Sequence, residues 1–501
     1  MGPFWQGGLM WLQLDEEGPL HQQAYRALRG AILDGRLRPG ARLPATRSLA
    51  GELGVSRNTL LQAYEQLADE GYVTARTGAG TFVAESLPDD RLGDAAEPGV
   101  ASASDATPLP LSKAARRILS AAPRAGISWA IPRKHLAYDF RYGEPAYGDL
   151  PLETWCRILG RHARRASVAR LSYGDPAGAP ELRHALADYL RRARGVVCTP
   201  EQILVTHGSQ QAIDLIGRVL VDPGDRVALE EPHYTGFSLA LDAFGAELVP
   251  VRVDENGLDT TELEAHADLR GACVTPSHQF PTGAVLSLER RLALLGWAER
   301  ETAFVLEDDY DGEYRYEGRP VPSLQGLDRA GRVLYLGTAS KTLFPSLRIG
   351  WLVVPEPLVR AFTLAKAYAD TGSSGLEQRV LAEFIEEGHL ERYVRRARVR
   401  NGQRREALEA AVARHLAGAA ELEGTRAGLH GLLWVPDLAL QREAELRRAC
   451  EARDVGIYPV RPFFTRPPQR SGYVLGYAAL SEEAIEEGVR RIGDALEAIT
   501  R

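Results

Sequence analysis

The chain has 501 residues and a formal net charge of −7, with 45% hydrophobic and 25% charged residues. That length exceeds one ordinary domain and predicts two or three, each with ample core material. The acidic balance excludes a polycation of the kind that coats nucleic acid, so any such contact must be local. Cys156, Cys198, Cys273 and Cys450 include no pair at metal-ligand spacing, which predicts reduced thiols and no metal. The start lacks a basic region followed by an apolar run, and no stretch has the length of a membrane span. A cytoplasmic protein is expected.

Helical spacing of Ala24, Leu28, Ile32 and Leu33 predicts a first helix over 20–37, ended by Arg38-Pro39-Gly40. A second runs from Ala45 to Leu53 and stops at Gly54. A third opens at Ser56, a good N-cap, and runs to about Asp69. On it Leu60, Ala63, Tyr64 and Leu67 form an apolar stripe; Asn58 and Gln62 project from the other side, with Arg57 at the flank. Such side chains at a helix N-terminus can reach base edges or phosphates. A hairpin follows, Tyr72–Arg76 and Thr81–Val83 around Gly78 and Gly80, giving a winged helix-turn-helix.

Leu43-Pro44-Ala45-Thr46-Arg47, Gly54-Val55-Ser56-Arg57-Asn58-Thr59 and the run from Glu70-Gly71-Tyr72 to Gly80-Thr81-Phe82-Val83 resemble GntR-type DNA-binding domains. The resemblance implies DNA contacts from Arg47, from Arg57 with Ser56 and Asn58 at the helix start, and from the wing, Arg76, Gly78 and Gly80. It also implies a homodimer reading two half-sites of double-stranded DNA. The boundaries expected are 12–84 for this domain and 85–132 for a flexible linker, small, acidic and proline-punctuated, with a short helix around Ser112 to Ala121.

From 133 to 501, short apolar runs alternate with helical patterns. Ile203–Val205, Arg226–Leu229, Glu247–Val251, Ala272–Val274, Ala303–Leu306 and Val333–Leu336 read as strands, with helices at 210–219, 288–300 and 358–368 between or after them. The alternation predicts a mostly parallel α/β sheet, followed by a smaller α+β subdomain from about 392 to 501.

Only four lysines occur, and Lys341 stands in Gly337-Thr338-Ala339-Ser340-Lys341-Thr342, seven positions before Arg348. Arginine stays protonated, whereas a lysine amine can lose its proton and attack an aldehyde. A lysine between hydroxyl residues with an arginine beyond suggests a pyridoxal 5′-phosphate (PLP) site: Lys341 on the aldehyde, and Thr338, Ser340 and Arg348 on the phosphate. Gly208-Ser209-Gln210 opens a helix after one strand and offers a phosphate cup. Asp308, after another strand, suits a pyridine nitrogen, and Tyr310 the ring's phenolic oxygen. Tyr234 can stack on the ring.

With these residues in place, 137–501 resembles a class I, fold-type I aminotransferase, and the whole chain resembles the MocR subfamily of GntR-type regulators. The resemblance implies Lys341 as the Schiff-base lysine and Tyr173 as a phosphate contact from the neighbouring subunit. Phe280 stands where common aminotransferases carry asparagine, which leaves the ring oxygen to Tyr310, helped by His278 or Gln279. Arg461, backed by Arg466 and Arg470, is the candidate for an effector carboxylate. The expected function is a PLP-dependent transcription regulator sensing an amino compound or PLP itself, with residual transaminase chemistry left open. An active aminotransferase carrying an accessory DNA-binding domain is the alternative.

Overall fold

The computed structural model describes residues 12, 14–15, 17–76, 78–87, 110–121, 135–165, 167, 172–317 and 322–500. They fall into two compact units that divide between Pro110 and Leu111.

The first unit is three helices and a hairpin: α1 (Leu20–Leu33), α2 (Thr46–Leu53), α3 (Arg57–Asp69), β1 (Val73–Arg76) and β2 (Gly80–Val83). Leu28 and Ile32 of α1, Leu49 of α2, Leu60 and Leu67 of α3 and Val73 and Val83 of the hairpin close one core. Helix α1 ends at Leu33, four residues before the pattern suggests. The Leu37 N–H turns back onto Ala31 O at 2.7 Å and its side chain still enters the core, so apolar periodicity outlasts the helix. Gly54 ends α2 at φ 68°, a left-handed conformation that glycine adopts freely. Ser56 Oγ accepts the Thr59 N–H at 3.1 Å and caps α3.

The second unit is built on a sheet of β4 (Ile203–Thr206), β5 (Arg226–Glu231), β6 (Glu247–Asp254), β7 (Gly257–Leu258), β8 (Leu269–Val274), β9 (Phe304–Asp308), β10 (Val333–Thr338) and β11 (Gly350–Val353). Their order is β4-β11-β10-β9-β8-β5-β6-β7. Neighbours from β10 through β6 pair in parallel, while β11 is antiparallel to both β10 and β4. Strands covered on both faces read as unbroken apolar runs, which is why the parallel strands show in the sequence. Strand β11 is not among the runs read as strands: it is four residues long and opens with Gly350.

Helix α4 (Lys113–Ala121) lies in the stretch expected to be linker. It packs against the helix Thr235–Phe244, and Arg117 Nη2 donates to Ala243 O at 2.8 Å, so this piece of the stretch belongs to the second unit. Residues 88–109 and 122–134 lie outside the described residues.

A smaller layer of β12 (Glu421–Glu423), β13 (His430–Val435), β15 (Tyr458–Pro459) and β16 (Ser471–Gly476) packs Leu433, Tyr473 and Leu475 against Leu408, Leu446, Ile485 and Ile492 of its helices. The pair of β3 (Tyr138–Asp139) with β14 (Val455–Gly456) ties the start of the unit to this layer.

Candidate functional site

The carboxyl ends of β4, β5, β8, β9 and β10 open on one side of the sheet, where ligands collect in α/β folds. A cavity of about 460 Å³ lies there.

One end of it is an anion cup. Gly208 (φ 77°) leads into the helix Ser209–Leu220, and a Cβ at Gly208 would come within 2.6 Å of Arg348 Nη2, so only glycine lets the guanidinium approach. Arg348 itself has φ 51° and donates to His207 O at 2.7 Å. With the hydroxyls of Ser209, Thr338 and Ser340 and the first N–H groups of the helix, this end suits a phosphate. Gln210 lines the cavity while its side-chain amide donates to Gly236 O at 3.1 Å.

Lys341 follows β10 and donates from Nζ to Gly143 O at 2.9 Å. Gly143 has φ 78°, and a Cβ there would sit 2.7 Å from Nζ. Burial lowers the Lys341 pKa; Glu144, Asp311 and Asp308 oppose it without reversing the direction. The neutral amine is the form that attacks a carbonyl, and burial shifts Lys341 in its direction.

The acidic run that ends β9 and continues past it divides its labour. Glu307 accepts the N–H groups of Leu324 and Gln325 at 2.7 and 2.8 Å. Asp309 is buried against Arg194, with contacts of 2.6 and 2.9 Å, and accepts from Tyr335 Oη at 2.7 Å. Asp308, 4% exposed, lines the cavity, and its Oδ1 has no hydrogen-bond partner among the described residues. Burial, helped by the charges of Asp309 and Asp311, pushes its carboxyl up to about 8. A buried carboxyl oxygen without a donor fits a cationic ring N–H.

Tyr310 Oη lies 3.0 Å from His278 Nδ1, which is also 3.0 Å from Asp311 Oδ2; His278 Nε2 points at Gly424 O, 3.2 Å away. Burial works against charge on His278, but the adjacent Asp311 carboxylate wins and raises its pKa. With acceptors at both nitrogens, the partners assign a doubly protonated imidazolium, and Tyr310 is held in place by it. The Tyr234 ring stands edge-on to Phe237 and Phe280, at 5.7 and 6.1 Å.

The fold brings in residues that no local motif marks: Tyr142, Gly143, Pro345, Leu429 and His430. His430 donates to Pro281 O at 3.3 Å, and burial, then its neighbour His278, hold its pKa well below the ordinary value. His278, Asp311 and His430 bring ligand-type atoms within 4.8 Å of one another, where the sequence suggests no metal. Their protein hydrogen bonds account for this cluster.

Five expected residues do not line this cavity, Tyr173 being the one expected at the neighbouring subunit's phosphate. Tyr173 is 89% exposed and does not line the cavity. Arg461 lines a separate hollow with His233 and Glu443, while Phe463 of the same turn (Arg461–Phe463) packs against Phe280 and Tyr142 of the cavity wall. Arg466 donates its backbone N–H to Glu231 at 2.9 Å, and Arg470 bonds Glu421 and Glu423 at 2.8 and 3.0 Å while lying over Trp434. Gln279 is tied to Glu230 and to the Pro232 carbonyl and does not line the cavity.

In the first unit Arg47, Ser56, Arg57, Asn58 and Gln62 are exposed, and Arg47 and Arg57 make no ion pair among the described residues. Arg76 lies over the Phe82 ring and 3.7 Å from Glu85, and Gly78 and Gly80 shape the exposed turn. Arg42, which no sequence motif singles out, lies directly against Gly80.

The aminotransferase class I and II family matches residues 139–492, and the gntR family of bacterial regulatory proteins matches residues 20–83. Fold and site thus define a gntR-type regulatory domain joined to a fold-type I aminotransferase domain. Over 97% of its length the chain is 41% identical to the probable rhizopine catabolism regulatory protein MocR of Rhizobium meliloti, covering 96% of that protein. Over 96% it is 36% identical to the HTH-type transcriptional regulator TauR of Rhodobacter capsulatus, covering 97% of it. Among solved structures, the α-aminoadipate aminotransferase LysN of Thermus thermophilus, complexed with N-(5′-phosphopyridoxyl)-L-leucine, superposes with a TM-score of 0.70 at 30% identity, covering 78% of this chain and 98% of that one. The chain belongs to the MocR-type family of GntR-class transcriptional regulators. Among the described residues, no helix is long and apolar enough to cross a membrane.

Proposed function

We propose that this regulator holds PLP in the cavity beside Lys341 and uses it to sense an amino compound, or PLP itself, so changing how its winged helices bind DNA. One observation carries the reading. A lysine with a lowered pKa, a buried carboxyl oxygen lacking a donor, and a cup of hydroxyls and guanidinium share one cavity, in a chain that also presents an exposed recognition helix. When bound, PLP supplies an aldehyde that a primary amine can capture and a ring that draws electrons from it.

Each side chain has a task. Ser209, Thr338, Ser340 and Arg348 grip the phosphate beside Gly208 and Gln210. Asp308 accepts a hydrogen bond from the ring nitrogen, Tyr310 holds the phenolic oxygen, and Tyr234 covers the ring face. Lys341 is the amine that an arriving amine replaces, and a released Nζ has Gly143 O within reach. Gly143 follows β3, which pairs with β14 of the smaller layer, so a change of partner at Nζ bears on how that layer closes over the cavity. The shift in DNA binding is then drawn from, and bounded by, the difference in effector affinity between closed and open states.

Tyr173, exposed in one subunit, reaches the phosphate of the other in a homodimer. Two winged helices read two half-sites, with Arg47, Ser56, Arg57, Asn58, Arg76, Gly78 and Gly80 at the DNA. The rest of 85–132 serves as a tether, and the protein works in the cytoplasm. The test is the visible spectrum of the purified protein titrated with PLP, then with amines and amino acids in the presence of 2-oxoglutarate. A new band with PLP, shifted by one amine to a stable end point without consumption of the oxo acid, is the expected result. No band after adding PLP refutes the reading.

The convergence of lysine, carboxyl and phosphate cup in one cavity also favours a second reading, a working aminotransferase with an accessory DNA-binding domain. Sustained consumption of the oxo acid in the same experiment identifies it.

A further inference from the structure

We infer that the effector of this cavity is a primary amine that carries no carboxylate. The inference rests on the cavity being the PLP-dependent effector site, and it names the chemical class of that effector.

A buried carboxylate requires a guanidinium or converging N–H groups, because an ionised acid without them bears its full desolvation cost. Among the described residues, the arginines nearest to this task are placed elsewhere. Arg461 shares its hollow with Glu443, Arg470 is clamped by two glutamates, and Arg466 lines another hollow together with Arg470. Arg141, adjacent to cavity residue Tyr142, is buried with Nε 3.4 Å from Asp139 and its guanidinium over the Tyr458 ring. Arg348, the one guanidinium among the described lining residues, belongs to the phosphate end.

The wall that faces an effector has a different character. Phe280 is its centre, 5.6 Å from Tyr142, 5.2 Å from His430 and 6.2 Å from Tyr310, and Leu429 extends the apolar surface. His430 donates through Nε2 to Pro281 O, so as a neutral ring it leaves Nδ1 an acceptor. The carboxylates here are Asp311 in the wall, paired with His278, and Glu144 near Lys341. Rings and acceptors such as these take hydrogen bonds from hydroxyls, and beyond Lys341 and Arg348 the described lining offers a carboxylate no cation. Phe280, which breaks the asparagine pattern of common aminotransferases, forms the middle of this wall.

The experiment titrates the full-length, PLP-loaded protein with matched pairs that share a skeleton: ethanolamine against serine, phenethylamine against phenylalanine, and aminobutanol against aminobutyrate. Visible absorbance and the unfolding midpoint are read for each. In at least one pair the amine is expected to shift both readouts at a concentration roughly tenfold or more below that of its acid, a difference of about 1.4 kcal/mol. Amino acids that match or beat their amines in every pair overturn the inference. So does a PLP-loaded protein that responds to neither member of any pair, and that outcome leaves the PLP reading standing. A protein that develops no band with PLP refutes the underlying reading instead, and the two failures are told apart by that first step.

Discussion

Arg57, Asn58 and Gln62 stand in water on one face of a helix of 13 residues, whereas Lys341, Asp308 and Tyr310 meet in a cavity to which segments from Tyr142 to His430 contribute. The recognition helix leaves its polar groups unengaged because DNA arrives with its own charges and water, and exposed side chains adapt to it at little desolvation cost. In the cavity several polar groups are fixed before any ligand comes: Lys341 by Gly143 O, Tyr310 by the His278–Asp311 pair, Arg348 by His207 O. Asp308 is the exception, a buried acid whose Oδ1 finds no donor among the described residues. Preorganisation of this kind suits recognition of one small molecule, and exposure suits reading a long polyanion. A regulator that joins the two has a stiff sensor and an adaptable reader.

The sharpest way to break this contrast is Lys341→Ala. It is expected to abolish the PLP band and all response to amines while leaving DNA affinity in the absence of effector unchanged, measured by absorbance and by anisotropy of a labelled duplex. Asp308→Asn comes next. Replacing an ionised acceptor by an amide should weaken PLP binding by about 1.5–3 kcal/mol, read from equilibrium titration.

The same residue predicts a pH dependence. Its carboxyl, pushed up to about 8, holds a proton that the unfolded chain releases near the ordinary value of 3.8. Its contribution to the stability of the ligand-free protein is therefore complete below that ordinary value and lost as pH rises through about 8. A cationic ring N–H beside it removes this loss, so the gain in unfolding midpoint from saturating PLP should be larger at the alkaline end of the window, and Asp308→Asn should flatten the dependence.

On the reading side, Arg57→Ala should cost about 1–3 kcal/mol of DNA affinity if the side chain meets a base edge, and should lower the salt slope by about 1 if it meets a phosphate. The cavity spectrum should not change. The smallest effect is Ser56→Ala, which removes the cap bond to the Thr59 N–H and should destabilise the first unit by about 1 kcal/mol, seen in thermal unfolding.

What the sequence discloses follows the same contrast. The recognition helix is legible because cap, stripe and exposed polar face recur within one short segment. Ser209, Asp308 and Lys341 are legible because each follows directly on an apolar strand, where the parallel sheet delivers its loops to one edge. Gly143, Leu429 and His430 are not, since they reach the cavity only through the docking of the smaller layer, which pairs β3 with β14 across more than three hundred residues of chain. Arg461 shows the converse failure. Its position after Tyr458-Pro459 suits a carboxylate contact on paper, but a short turn directs it into a different hollow. In α1, Leu37 keeps the apolar rhythm after the helix has ended, because a turn and a helix can feed the same core.

The most direct test of the account is the affinity of the full-length, PLP-loaded protein for a duplex selected against it from a random pool, measured by anisotropy with and without an amine that shifts its visible spectrum. The account predicts a change of roughly fivefold or more in the wild type, the lower end of ordinary allosteric coupling, and none in Lys341→Ala. Equal affinity with and without that amine in the wild type would contradict it, and would leave the cavity as chemistry unconnected to the reading of DNA.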